Sequence, residues 1–114
     1  MLAFLPAFER GDFRDAIEFY MQRGSDPPQV YDLASEVGHS GFVFPFDWAH
    51  WPEAGAATLP DGIASADILT LRKLMTAFVR ADHFSGGSFS ENCSNGTIER
   101  ILRRLERLSA AGEV

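Results

Sequence analysis

In the stretch GFVFPFDWAHW, residues 41–51, four side chains have the makings of a binding site: Asp47, Trp48, His50 and Trp51. If Asp47 opens a helical turn, Trp48 and Trp51 fall at i and i+3 on one side of it, where two indoles can grip a planar ligand or a sugar. Further along, Arg80, Asp82 and His83 follow one another near the end of a long helical run, and His83 could act as a general base oriented by Asp47 or Asp82. The candidate ligand-binding set is therefore Asp47, Trp48, His50, Trp51, Arg80 and His83. The competing interpretation is structural: aromatic stripes more often complete a core, with both indoles closing it and Asp47 capping the turn or pairing with Arg72 or Arg80.

No catalytic residue follows from this cluster, because catalysis there would also need a nucleophile or a metal and the sequence signals neither. His39, His50 and His83 have no partner at HxxxH or CxxC spacing, so no metal site is expected. Cys93, in ENCSNG, has no base beside it, and a nearby Glu91 charge would raise its pKa, so it is expected to be an inert, half-buried thiol. The glycine pairs in GHSG and SGGS are too short for a phosphate loop and lack its lysine; they are turns. No cofactor is implied.

Charge points to surfaces instead. The formal net charge is -6, which disfavours direct nucleic-acid binding as a global property. Residues 1–71 carry 11 acidic and three basic side chains, whereas residues 72–114 carry five acidic and seven basic ones. Asp12, Asp15 and Glu18 recur every three residues after Glu9, making an acidic stripe; Arg100, Arg103, Arg104 and Arg107 make a basic one at i, i+3, i+4 and i+7. Each is a candidate partner-binding surface, and each could equally be a solvated flank, the arginines pairing with the interleaved Glu99 and Glu106. A homodimer that joins acidic to basic faces also stays open.

The elements that must position these residues are mostly helical. GDFRDAIEFYMQRG, 11–24, places Phe13, Ile17, Tyr20 and Met21 on one face, with Asp12 as its cap and Gly24 as its stop. PPQVYDLASEVG repeats the pattern with Val30, Leu33, Ala34 and Val37, starting at the Pro27-Pro28 pair and stopping at Gly38. Residues 52–65, rich in Ala, Gly and Pro, predict a loop. Ser65 would cap the strongest helix, 66–82, whose wide apolar face of Ile68, Leu71, Leu74, Met75, Phe78 and Val79 makes it central. SFSENCSNG has room for one or two turns around Phe89, and a final helix turns Ile98, Ile101, Leu102, Leu105 and Leu108 inward. Only 41–47 looks extended: Phe42, Phe44, Phe46 and Trp48 alternate with Val43, Pro45 and Asp47, which puts every aromatic on one side, expected to lie on the helices, and Pro45 excludes a central sheet position.

The expected fold is thus mainly α, one domain over 1–114: a compact bundle of four or five helices with one extended aromatic strap at 41–47. A chain of 114 residues with 46% hydrophobic and 23% charged residues can bury such a core without staples. One cysteine forms no internal disulfide, MLAFLPAFER lacks the basic start and long apolar core of a signal peptide, and no apolar run approaches a membrane span, so a cytoplasmic protein is expected.

Three ordered blocks, GFVFPFDWAHW, TLRKLMTAFVRADHF at 70–84 and ILRRL at 101–105, resemble a bacterial family of small proteins known only as a domain of unknown function, with blocks GFVxPFDWxxW, TLRKLLTAxVRxDRF and ILRRL. The resemblance covers roughly residues 38–108. It implies a compact helical domain and supplies no catalytic residue; His83 stands where the family pattern has Arg. In size and charge alone the chain is similar to small acidic inhibitors from phages and mobile elements, of the anti-CRISPR or anti-restriction type. The expected function is a non-enzymatic module that binds another protein, itself a nucleic-acid binder, by surface complementarity. The alternative is a ligand-binding protein or enzyme with its site around DWAHW.

Overall fold

The wide apolar stripe near the middle of the chain does form its longest helix, and the other helices are laid around it. In the computed structural model, which describes residues 1–113, the α-helices are α1 (Leu5–Glu9), α2 (Ala16–Arg23), α3 (Pro28–His39), α4 (Ala54–Thr58), α5 (Pro60–Ala64), α6 (Ile68–Phe84), α7 (Ser88–Ser94) and α8 (Thr97–Ala110). Single 3-10 turns cover Leu2–Phe4 and Trp48–His50. Five of the eight helices reach seven residues or more, and they carry the bundle expected from the periodicity. No strand occurs among the described residues.

Local chemistry accounts for the helix ends. Asp67 accepts the Thr70 amide at 2.8 Å and opens α6. Ser65, two residues earlier, instead donates its hydroxyl to the Asp61 carbonyl at 2.9 Å and closes α5. Helix α3 starts on Pro28, whose missing N–H costs nothing in the first turn, and runs through Gly38 to His39. Gly24 ends α2 with φ 71°, a left-handed stop. The start of α2 differs from expectation: residues 11–15 form a turn, and Asp12 takes the Arg10 guanidinium at 2.9 Å rather than a backbone amide. Phe13 sits in that turn, buried and stacked on Phe8 at 4.0 Å.

Two segments are more ordered than the sequence suggests. Residues 52–65 hold α4 and α5 instead of a loop: three of the five residues of α4 are alanine, the strongest helix former, and Pro60 fills the first position of the next helix. The first ten residues, given no element from the sequence, fold as a 3-10 turn and α1, with Leu5 and Phe8 buried.

The core gathers Val30, Leu33 and Val37 of α3, Leu71, Leu74 and Met75 of α6, Phe89 of α7 and the inner face of α8 from Ile98 to Leu108. Fully burying one such side chain contributes about 1.5–3 kcal/mol. Helix α6 packs on α4, α7 and α8, and α8 also receives α1 and α5. The radius of gyration, 13.4 Å, is that of a compact chain of this length.

The strap at 41–47 is extended but is held by side chains rather than by a ladder. Arg72 of α6 donates from Nε to the Phe42 carbonyl at 2.9 Å and from its terminal nitrogen to the Gly41 carbonyl at 3.2 Å. The Phe44 amide donates to the buried Thr76 hydroxyl at 3.2 Å, which itself donates to the Arg72 carbonyl at 2.7 Å. The period of two therefore does not put every aromatic into the core: Phe42 is buried and Val43 packs beside it, while Phe44 and Phe46 stack at 5.2 Å, half-buried on the outside of α6.

Candidate functional site

The strap carries the DWAHW cluster to the outer face of α6. Asp47 occupies the cap position of the 3-10 turn at 48–50 but makes no side-chain cap bond. Its carboxylate lies against His50 Nδ1 at 3.0 and 3.2 Å. An ionised carboxylate only accepts, so Nδ1 carries the hydrogen and Nε2 faces away. Both side chains are open to water, at 73% and 82% exposure, which leaves the pair weakly coupled and easily screened.

The two indoles do not face each other across a ligand. Trp51 meets Phe46 edge-on at 5.8 Å, packs on the core, and sits under Lys73, whose Nζ is 5.7 Å from the Trp51 ring and 5.8 Å from the Phe46 ring. Trp48 instead tilts against Phe84 at 6.0 Å, and Phe84, at the last turn of α6, is 83% exposed. Arg72 adds a second cation over Phe44 at 4.8 Å. Of the six ligand-site candidates, the structure joins Asp47 to His50 and leaves Arg80 exposed, its side chain without a hydrogen bond or ion pair among the described residues. His83 belongs elsewhere.

His83 lies at the rim of a cavity of about 290 Å³ between α3, α6 and α7, together with Asp26, Tyr31, Val79, Asp82 and Phe89. Asp82 reaches from α6 to accept the Phe89 amide at 3.0 Å, so it caps α7, whose own cap position is Gly87. That glycine has φ +90°, and a Cβ there would come within 2.7 Å of the Tyr20 ring that covers the turn. Asp26 accepts the buried Ser90 hydroxyl at 2.6 Å. The sequence pattern offers Asp47 or Asp82 as an orienter of His83; Asp47 lies on His50 instead and Asp82 on the Phe89 amide, and the pattern gives no sign that Asp26 or Tyr31, from the segment before α3 and from its exposed side, join this cavity.

Cys93 lies beneath, 3% exposed. Burial pushes its thiol pKa far up, and the charges of Asp26 and Asp82 push it further; Glu91, the neighbour in sequence, is not the cause. The thiol is held protonated, the opposite of what a nucleophile needs. No group of three or more His, Cys, Asp or Glu side chains suited to a metal ion exists among the described residues.

The two charged stripes keep separate surfaces. Asp12, Asp15 and Glu18 line one shallow concavity of about 320 Å³ with Phe19 and Gln29, and no basic side chain among the described residues lines it. Gln29 donates to the Asp12 carbonyl at 3.0 Å and so ties the start of α3 to this face. On α8, Arg100, Arg103, Arg104 and Arg107 together line a groove against Pro60, Ile63 and Ala64 of α5. Two of the four are engaged internally: Arg103 donates to Glu99 at 2.8 Å and to Glu9 at 3.3 Å, and Arg104 donates to the Ala66 carbonyl at 2.9 Å. Hydrogen bonding to Glu99 raises the Arg103 pKa further above its already high value. Arg100 and Arg107 have no such partner among the described residues.

Among the described residues no helix is long and apolar enough to cross a membrane. No curated protein and no solved structure matches the chain. A family of unknown function, DUF6508, matches residues 1–111, a span that takes in the first 37 residues as well as the strap, α6 and α8, and the chain belongs to that family.

Proposed function

We propose that the protein is a small, acidic, non-enzymatic interaction module that binds a basic, nucleic-acid-binding protein, in the manner of inhibitors from phages and mobile elements. The observation that carries this is the concavity at α2, where Asp12, Asp15 and Glu18 converge without a basic side chain in the lining. Asp15 and Glu18 form no ion pair among the described residues, so their charge is available to a partner. Carboxylates set on the turn before α2 and on its first turn present negative charge at neighbouring positions, as a phosphate backbone does, and such a face steers a basic cleft and fixes its register. The internal engagement of Arg103 and Arg104 fits the same account, since it leaves the basic stripe partly spent on holding α8 in place.

The test is affinity purification from the native host with the wild-type chain and with the triple variant Asp12→Lys, Asp15→Lys, Glu18→Lys. A partner retained by the wild type, lost with the variant, and hindered from binding nucleic acid when the wild type is present supports the function. Equal retention by both chains excludes the α2 face, and a retained partner whose nucleic-acid binding is untouched refutes the inhibitory role.

A further inference from the structure

The cavity between α3, α6 and α7 has features that its structural roles do not use. Asp26 and Asp82 each spend Oδ1 on the protein, one on the Ser90 hydroxyl and the other on the Phe89 amide. Each Oδ2 is left without a protein donor among the described residues, and no lysine or arginine lines the cavity. Both carboxylates are only half exposed, and both act on the same buried Cys93, so two like charges share a partly dry space with no fixed countercharge. Apolar surface comes from buried Phe89 below and Val79 of α6 beside it, Tyr31, 68% exposed, stands at the rim, and Ser35 and the exposed His83 also line the cavity.

The geometry points to a site for an alkylguanidinium or alkylammonium cation. The charged head sits between the free oxygens of Asp26 and Asp82, the aliphatic stem lies along Val79 and Phe89, and Tyr31 closes over it with its ring face. A volume of about 290 Å³ is at the small end of ligand pockets and suits a charged head on a short stem. A hard divalent cation fits poorly, since calcium takes six to eight oxygen ligands and the cavity offers two free carboxylate oxygens. The same chemistry reaches the site from two sources, a free small amine or guanidine, or an arginine or lysine side chain on a partner protein. The site does not depend on the acidic face of α2.

Two-dimensional NMR titration of the ¹⁵N-labelled chain tests it, with n-butylguanidinium, n-butylammonium, butyrate as the anionic control, and an acetyl-Gly-Arg-Gly-amide peptide, all at constant ionic strength. Saturating shifts at Tyr31, Val79 and Phe89 are expected with the cations and not with butyrate. Asp26→Asn and Asp82→Asn should each weaken binding at least tenfold. Asparagine keeps an oxygen to accept from Ser90 or the Phe89 amide, so both variants should remain folded, and unchanged circular dichroism melts check this. Tyr31→Ala, a change at an exposed residue, provides a second variant and should weaken binding several-fold. Saturation by the free cations identifies a small-molecule site, and saturation by the peptide alone identifies a side-chain site; either upholds the inference. It is overturned if butyrate binds as well as the cations, if the Asn variants bind like wild type, or if nothing saturates by about 10 mM.

Discussion

Replacing Arg72 by Met keeps most of the side-chain volume along α6 and removes the guanidinium that clips the strap. Three interactions go with it: the donations to the Phe42 and Gly41 carbonyls at 2.9 and 3.2 Å and the cation over the Phe44 ring at 4.8 Å. The two hydrogen bonds are only partly shielded, so each is taken at about 1 kcal/mol rather than the higher figure for a dry charged donor. The half-exposed cation–π contact adds about 0.5 kcal/mol. The expected loss is about 2.5 kcal/mol. With a urea slope of about 1.5 kcal/mol/M, the unfolding midpoint falls by about 1.7 M. Trp48 and Trp51, the chain's two tryptophans, both sit just beyond the strap, so tryptophan fluorescence reports this region while far-ultraviolet circular dichroism reports the helices. In the variant the fluorescence transition should precede the dichroism transition, because the strap loses its clip while the bundle beneath keeps its own contacts. Arg72→Lys, which retains charge but not the two-pronged donor, should fall between. A midpoint within about 0.3 M of wild type, with coincident transitions, would refute the claim that Arg72 holds the strap.

Two further outcomes follow from the buried thiol and from the α6 cap. The Cys93 pKa is raised above its ordinary value near 9.0, so the folded state keeps a proton that the unfolded chain releases; this contribution is whole below pH 9 and is lost as pH rises beyond it, by about 1.4 kcal/mol per unit. Urea midpoints compared between pH 8 and 10.5 should fall more steeply for wild type than for Cys93→Ala, and a thiol reagent should be excluded from the native protein; equal slopes in the two chains would contradict this account. Asp67→Ala removes the acceptor for the Thr70 amide and should cost about 1 kcal/mol, whereas Asp67→Asn should cost less. Hydrogen bonding from Thr70 lowers the Asp67 pKa, so its charge-dependent contribution is present above its ordinary value of 3.8 and disappears as pH falls below; a wild-type advantage over Asp67→Asn that persists at pH 2 would count against it.

How far the residues foretold the structure depended on how many turns a pattern had in which to declare itself. The four turns of α6 and the apolar repeat of α8 identify their buried faces unambiguously, because Leu71, Leu74 and Met75, or Ile98, Ile101 and Leu105, recur over a window long enough to show a period. Helices α4 and α5 have five residues each and show none, so Ala, Gly and Pro suggest a loop where propensity and Pro60 build two short helices. Competing local partners mislead in the same way: Asp12 bonds the Arg10 guanidinium and Ser65 the Asp61 carbonyl, each within four residues, so neither caps the helix that follows, and Asp67 opens α6 instead. The strap shows tertiary override most clearly. Its alternation predicts an aromatic side facing inward, but Arg72 and Thr76 take its backbone groups, and Phe44 and Phe46 are left to stack outside. The candidate sites divide likewise. Charge stripes on single helices are visible from spacing, while the Asp26 and Asp82 cavity joins side chains 56 positions apart in sequence and has no local signature.

Helix α8 closes the molecule against α1, α5, α6 and α7, and Arg103 reaches Glu9 across 94 positions of sequence. During synthesis every one of those elements leaves the ribosome before the helix that covers it. Until Ile98 to Leu108 emerge, the parts of α1, α5, α6 and α7 that α8 covers stay bare, so the nascent chain carries a sticky, half-built core that chaperones would recognise. A stop codon anywhere before residue 97 would yield not a smaller version of the protein but a chain fit mainly for degradation.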